Sequence, residues 1–171
     1  MAQAGAVLGG RYALDKQIGI GGYGEVWRAT DTVLSRPVAV KLLHPHYAWQ
    51  GEVLARFRAE ARHAAGLSHE NIAQVYDYGE AADGQPPYLV MELVDGPSLE
   101  DLLDGGPLGA NRTMDIVAQA AAGLQAAHAA GMIHRDVKPG NLLLTAAAPS
   151  RSPTSASRIR SARRRSRSAA S

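Results

Sequence analysis

His134-Arg135-Asp136-Val137-Lys138-Pro139-Gly140-Asn141, followed by Leu142-Leu143-Leu144-Thr145, is the stretch on which the reading of this chain turns. It sets an acid, a cation and an amide at fixed offsets, directly before an apolar, strand-like run. That order suits a hydroxyl handled beside a phosphate and a metal. Asp136 can accept a hydroxyl proton, Lys138 can neutralise a phosphate, and the Asn141 carbonyl can hold Mg2+. Pro139 fixes the backbone and removes a donor, so the segment reads as a loop rather than a helix face.

Upstream of the loop, residues 112–130 are the longest helix candidate, with Val117, Ala120, Ala121, Leu124 and Ala127 on the expected buried side and Gly131 as its stop. Ser98 with Asp101 three residues on signals the cap of a short helix, Leu99 to Leu103. Before that the pattern is mostly strand. Tyr12 to Gly19, Glu25 to Thr30, Val38 to Leu43, Ile72 to Tyr78 and Tyr88 to Val94 are five strand candidates. Residues 53–66 interrupt them with a helix whose Leu54, Phe57, Ala61 and Ala64 share one face. Residues 1–10 are small and read as a frayed, flexible end.

Gly19-x-Gly21-x-x-Gly24 lies between the first two strands. The same spacing serves dinucleotide sites, where it leaves a strand and opens a helix. Here a strand follows, so the glycines form a hairpin, either an ordinary one or one whose amides lie over phosphates. Lys41 sits in an apolar strand and needs a partner if it is buried. Glu60 on the inner side of the following helix is the natural one, and Glu52 at the helix start is the fallback.

With 171 residues the chain has room for about one domain, and at 46% hydrophobic it can build a core. It has no cysteine, which excludes disulfides and thiolate metal sites and fits a reducing, cytoplasmic location. No apolar run reaches membrane-spanning length, and residues 1–10 lack the basic start of a signal peptide. The net charge of +2 hides two compositions. All 16 acids lie at or before Asp136, while seven of the 18 Lys and Arg follow Pro149. Residues 146–171 are Ala, Ser, Arg and Pro with almost no large aliphatic, a composition that cannot offset its ordering entropy and is expected to be disordered. Arg163-Arg164-Arg165-Ser166-Arg167 could meet phosphates without specificity, but no aromatic is interleaved for base stacking, so nucleic acid is not the expected partner. His44-Pro45-His46 has the look of a metal pair without a third ligand and is read as a loop feature.

The string H-R-D-V-K-P-x-N resembles the catalytic loop of eukaryotic-type (Hanks-type) serine/threonine protein kinases, and composition suggests a bacterial member. The resemblance covers residues 11–145 and implies an α+β fold. Residues 11–94 would be an N-terminal lobe, an antiparallel five-stranded sheet plus one helix; residues 95–145 would begin a helical C-terminal lobe. It implies transfer of the ATP γ-phosphate to protein Ser or Thr hydroxyls. Asp136 would be the base, Lys138 the phosphate-neutralising cation, and Asn141 the Mg2+ ligand. His134 would pack and Arg135 would meet an activation-loop phosphate. Val38-Ala39-Val40-Lys41 resembles the family's third strand, with Lys41 on the nucleotide phosphates and paired to Glu60. Ile18, Gly19, Gly21, Gly22, Gly24 and Val26 would cover the nucleotide. Met91-Glu92-Leu93-Val94 resembles the hinge: Met91 guards the pocket, Glu92 and Val94 read the adenine edge by their backbones, and Ile18, Val26, Ala39 and Leu143 enclose the ring.

The resemblance stops where the family continues into an Asp-Phe-Gly segment whose aspartate holds the main Mg2+. No Asp or Glu follows Asp136 here. Two expectations follow. Asn141 alone is a poor Mg2+ site, so transfer by this chain is weak or absent. The apolar side of the 112–130 helix lacks its usual cover, which favours a partner protein. The abrupt change of composition suggests that residues from about 146 onward are replaced or read out of frame.

Overall fold

The computed structural model describes residues 2–48, 50–80, 84–134, 136–145 and 157–159. Arg135, the run Arg163–Arg167 and most of the expected disordered tail lie outside them. The chain divides into two compact units, Met1–Gly66 with Gln74–Leu93, and Leu67–Ala73 with Val94–Ser171.

The first unit is a six-stranded antiparallel sheet. Its strands are β1 (Val7–Leu8), β2 (Tyr12–Gly21), β3 (Gly24–Asp31), β4 (Arg36–Leu43), β5 (Val75–Gly79) and β6 (Tyr88–Met91), in the order β1-β2-β3-β4-β6-β5. A one-turn helix α1 (Pro45–Ala48) and the longer α2 (Gly51–Ala65) stand between β4 and β5. The alternation of side chains along β4 decides what each face carries. Val38, Val40 and Leu42 enter one buried cluster with Tyr12, Leu14, Trp27 and Tyr88. Ala39 and Leu43 enter the other, with Val26, Met91 and the α2 residues Phe57, Ala61 and Ala64. Lys41 falls in register with Ala39 and Leu43, so it belongs to the face that α2 covers. Burying a ring such as Phe57, 5% exposed, contributes about 1.5–3 kcal/mol and fixes α2 there.

The sixth strand corrects the expected count, and the N-terminus is not frayed. Gly5 N–H donates to the Leu14 carbonyl at 2.7 Å, Leu14 N–H donates to Ala6 at 2.8 Å, and Leu8 is only 4% exposed. One apolar side chain with a mate on β2 is enough to extend the sheet. Two strands are also shorter than their apolar runs suggest. β5 begins at Val75 because Ile72 N–H turns back to the His69 carbonyl, and β6 ends at Met91.

The β2–β3 end of the sheet is closed by a buried acid. Asp31 takes a forked pair from Arg11 at 2.8 and 2.7 Å and accepts the Val33 and Leu34 amides of the next turn. The Arg11 hydrogen bonds, then those turn amides, hold its carboxyl down at about 2 against burial, which pushes the other way. Tyr12 donates its hydroxyl proton to Asp77 at 2.6 Å; burial first, then that hydrogen bond, raises the phenol above its ordinary range.

In the second unit, α3 (Leu99–Asp104) starts with a full capping box: the Asp101 amide donates to Ser98 Oγ at 3.1 Å, and the Asp101 carboxylate accepts from the Ser98 amide at 2.8 Å. Helix α4 (Ala110–Ala129) ends in a double turn-back, Gly131 N–H to His128 and Met132 N–H to Ala127, which requires the positive φ of +76° that Gly131 supplies. Its buried stripe is Ile116, Ala120, Gly123 and Ala127. Ala120 and Ala127 are buried as expected and Leu124 packs half-buried beside Ala120, but two expected positions are corrected: Val117 is 55% exposed and Ala121 is exposed, while Ile116 takes the buried place. Alanine on every side of the helix leaves the pattern without a sharp phase. A 3-10 turn (Pro139–Asn141) leads into β7 (Leu142–Leu144), which pairs antiparallel with β8 (Ser157–Ile159). Those three residues fall within the stretch expected to be disordered, and they form a strand instead.

The pH dependence of stability should follow Asp31. Its folded carboxyl lies below the ordinary 3.8, so its stabilisation is complete above that value and is lost as pH falls towards about 2. Asp31→Asn, which keeps the shape and removes the charge, should melt several degrees below the parent at pH 7. The two melting curves, followed by circular dichroism, should converge as the pH approaches 2.

Candidate active-site residues

Lys41 and Glu60 meet: Nζ lies 3.3 Å from Oε1. The register of β4 puts Lys41 on the α2 face, and Glu60 lies one helical turn past Phe57, whose ring is 5.8 Å from the Lys41 ammonium. Both side chains keep some water contact, at 21% and 26% exposure, so the pair is neither fully desolvated nor screened like a surface pair. The fallback Glu52 is excluded as the partner, because it lies 87% exposed and pairs with Arg56 at 3.1 Å.

The glycine-rich stretch is a two-residue hairpin closed by the pair Gly21 and Gly24, with Gly22 and Tyr23 at its tip. Its glycines serve different ends. A Cβ on Gly24 would run into the Leu42 carbonyl of the neighbouring strand, so Gly24 is required by β3–β4 packing. A Cβ on Gly21 would meet nothing nearer than 3.8 Å. Gly19 pairs with Val26, while Ile18 and Ile20 are 45% and 73% exposed. Val26, Ala39 and Met91 form part of one buried cluster, and Ala39 is the register partner of Met91. The Glu92 N–H is committed to the Gln74 carbonyl at 2.8 Å, which removes it from the donors that an adenine edge could use.

The second unit gathers the loop residues. Asn141 Nδ2 donates to the Asp136 carboxylate at 3.0 Å and to its main-chain carbonyl at 2.8 Å. Lys138 Nζ lies 3.4 Å from the same carboxylate. The Asp136 amide donates to the His134 carbonyl at 2.9 Å, which closes the turn. Asn141 thus fixes the carboxylate while the half-exposed Lys138 stands near it, and the Asn141 carbonyl oxygen is the amide atom turned away from it. Leu143 is half-buried between the buried Leu142 and Leu144, on the opposite side of β7, and bridges to Ser98. Val94 is half-buried at the start of this unit.

These residues do not by themselves fit a resident Mg2+. That ion wants near-octahedral oxygen ligation with carboxylates. The loop offers one amide oxygen beside a carboxylate already shared by Lys138 and Asn141. Among the described residues no group of three or more His, Cys, Asp or Glu is spaced to hold a metal. His44 and His46 stack at 5.6 Å between ring centroids; His46 is exposed and lies in α1, which corrects the expectation of a loop there.

Sequence reasoning missed the surroundings of His44. Its imidazole Nε2 lies 3.0 Å from the Gly21 carbonyl and its amide donates to Tyr23 at 2.9 Å. A histidine next to a proline at a strand end carried no signal of a contact with a turn twenty residues earlier.

Comparison with known proteins agrees with this geometry. The family model for the protein kinase domain matches residues 12–150. Serine/threonine-protein kinase PknA of Mycobacterium tuberculosis is 48% identical over 147 residues, covering 84% of this chain and 34% of the relative. PknL of the same organism is 43% identical over 141 residues, covering 82% and 35%. The chain therefore spans about a third of the length of these curated relatives. The crystal structure of the M. tuberculosis PknI kinase domain superimposes with a TM-score of 0.77 at 30% identity, over 94% of this chain and 61% of that one. With the sheet, the Lys41–Glu60 pair and the Asp136 loop already in view, the match over most of its length makes this chain a member of the protein kinase domain family, of the bacterial serine/threonine type.

Proposed function

We propose that this chain carries the nucleotide-binding and hydroxyl-activating residues of an ATP-dependent serine/threonine protein kinase. The observation that carries the reading is the Asp136 carboxylate, held by Asn141 at 3.0 Å with the Lys138 ammonium 3.4 Å away. A fixed, hydrogen-bonded carboxylate can take the proton of a Ser or Thr hydroxyl as its oxygen bonds to the γ-phosphorus and ADP leaves. Lys138 offsets charge on the transferred group. Lys41, kept in place by Glu60, takes the α- and β-phosphates, and the Gly21–Gly24 hairpin lies over them. Ile18, Val26, Ala39 and Met91 supply apolar contact to the adenine. Protein hydroxyls are the acceptors, and ATP as donor puts the reaction in the cytoplasm. Among the described residues no helix is long and apolar enough to cross a membrane.

A second reading concerns what this polypeptide achieves alone, and one stretch of sequence favours it. Ser150-Arg151-Ser152-Pro153-Thr154-Ser155-Ala156-Ser157-Arg158 can be written in the codons TCA AGA TCA CCG ACT TCG GCA TCG CGN. Moved back by one base, the same letters read AAG ATC ACC GAC TTC GGC ATC GCG, which is Lys-Ile-Thr-Asp-Phe-Gly-Ile-Ala. The Asp-Phe-Gly segment that the resemblance leads one to expect thus fits the neighbouring frame, downstream of Asp136, the last acid of the chain. On this reading the chain binds nucleotide but lacks the carboxylate that transfer needs. Residues encoded by the other frame, or a partner protein, would cover the exposed Met114 and Val117 of α4.

Three outcomes check these readings. ATP at a hundred times its Kd should stabilise the chain by about 2.7 kcal/mol, seen as a rise in Tm, and Lys41→Met should remove most of that rise. Label transfer from γ-labelled ATP to a Ser/Thr peptide should be near background for this chain. It should appear once the frame is restored and be lost again in Asp136→Asn. Sequencing the coding locus should return the Asp-Phe-Gly codons one base out of register; a different nucleotide sequence there refutes the frame reading.

A further inference from the structure

We propose that His44 is a positioning residue for the glycine-rich hairpin, holding its tip in the shape that receives a phosphate chain; this rests on the nucleotide reading above. The hairpin tip has a permissive backbone, since Gly21 and Gly22 lack the side chains that would narrow their dihedral choices. Something else must order it, and His44, the first residue after β4, touches both sides of the turn. Its main-chain N–H donates to the Tyr23 carbonyl at 2.9 Å. Its imidazole Nε2 stands 3.0 Å from the Gly21 carbonyl. A carbonyl only accepts, so the ring proton at that contact sits on Nε2.

The ring is enclosed by packing. Nδ1 lies 4.0 Å from Glu25 Oε1, beyond hydrogen-bond reach, and Glu25, 6% exposed, is fixed by accepting the Trp27 indole N–H at 2.9 Å through its other oxygen. On the other side His44 stacks on His46 at 5.6 Å, His46 packs on Tyr47 at 3.9 Å, and Tyr47 returns to Tyr23 at 5.0 Å. The titratable groups around His44 are therefore Glu25 from β3, Tyr23 from the hairpin tip, and His46 and Tyr47 from α1.

The tether has a directional consequence. A trans peptide points its carbonyl and the next N–H in opposite directions, and the described residues include no cis bond. Fixing the Gly21 carbonyl on His44 therefore turns the Gly22 N–H away from His44. Ordering that donor before the ligand arrives leaves less entropy to be lost on binding. The benefit is confined to ligands that carry phosphates.

The test uses the whole 171-residue chain with His44→Leu, which has no donor, and His44→Gln, whose amide can reach the same carbonyl. Without nucleotide, hydrogen exchange over residues 21–24 should quicken in His44→Leu and return towards the parent in His44→Gln. The Kd for ATP should rise roughly three- to tenfold in His44→Leu, as the loss of one hydrogen bond implies, with the Kd for adenosine unchanged. Equal weakening for ATP and adenosine, parental exchange in His44→Leu, or no rescue by His44→Gln overturns the proposal. A parent chain that binds no ATP overturns the nucleotide reading and the affinity half of the proposal with it, while the ligand-free exchange still decides whether the tether exists.

Discussion

A lysine on a buried strand face is tolerable only if something answers its charge, and in this chain that requirement ties a sheet to a helix. Lys41 shares its face of β4 with Ala39 and Leu43, which pack against α2. Glu60 reaches it at 3.3 Å only because Phe57, Ala61 and Ala64 hold α2 at that depth and rotation. Apolar packing thus sets the geometry and the ion pair exploits it. With both partners about a quarter exposed, the pair contributes more to the direction of an ammonium than to the stability of the fold.

The second unit shows the same division between scaffold and chemistry. Pro139 and the Asp136-to-His134 hydrogen bond shape the loop. Asn141 then spends its amide nitrogen on Asp136, so a single side chain both closes the loop and orients its acid. Lys138 lies close to that acid but is half exposed, which leaves it able to swing towards an anion.

Much of this was legible in the residues. The five longer strands, both main helices, the Ser98–Asp101 box and the Gly131 stop follow from periodicity and cap chemistry, because each depends on neighbours within a few positions. The choice of Glu60 over Glu52 was legible too, since helical spacing from Phe57 and Ala64 puts only Glu60 on the inner side. What escaped was non-local or weakly phased. Leu8 joins the sheet through a strand of two residues. The burial of α4 turns on Ile116 rather than Val117, because alanines blur the stripe. The Gly21–His44 contact joins residues that no periodic pattern relates.

The pairing of β8 with β7 has a wider meaning. A ladder of main-chain donors and acceptors is indifferent to the side chains it carries, so Ser157-Arg158-Ile159 can zip onto Leu142–Leu144 without bringing any acid to the neighbourhood. Architecture and reactivity are therefore separable at this edge. The polypeptide keeps this paired edge whatever side chains it carries, so a likeness judged by backbone alone reports the ladder and not the chemistry.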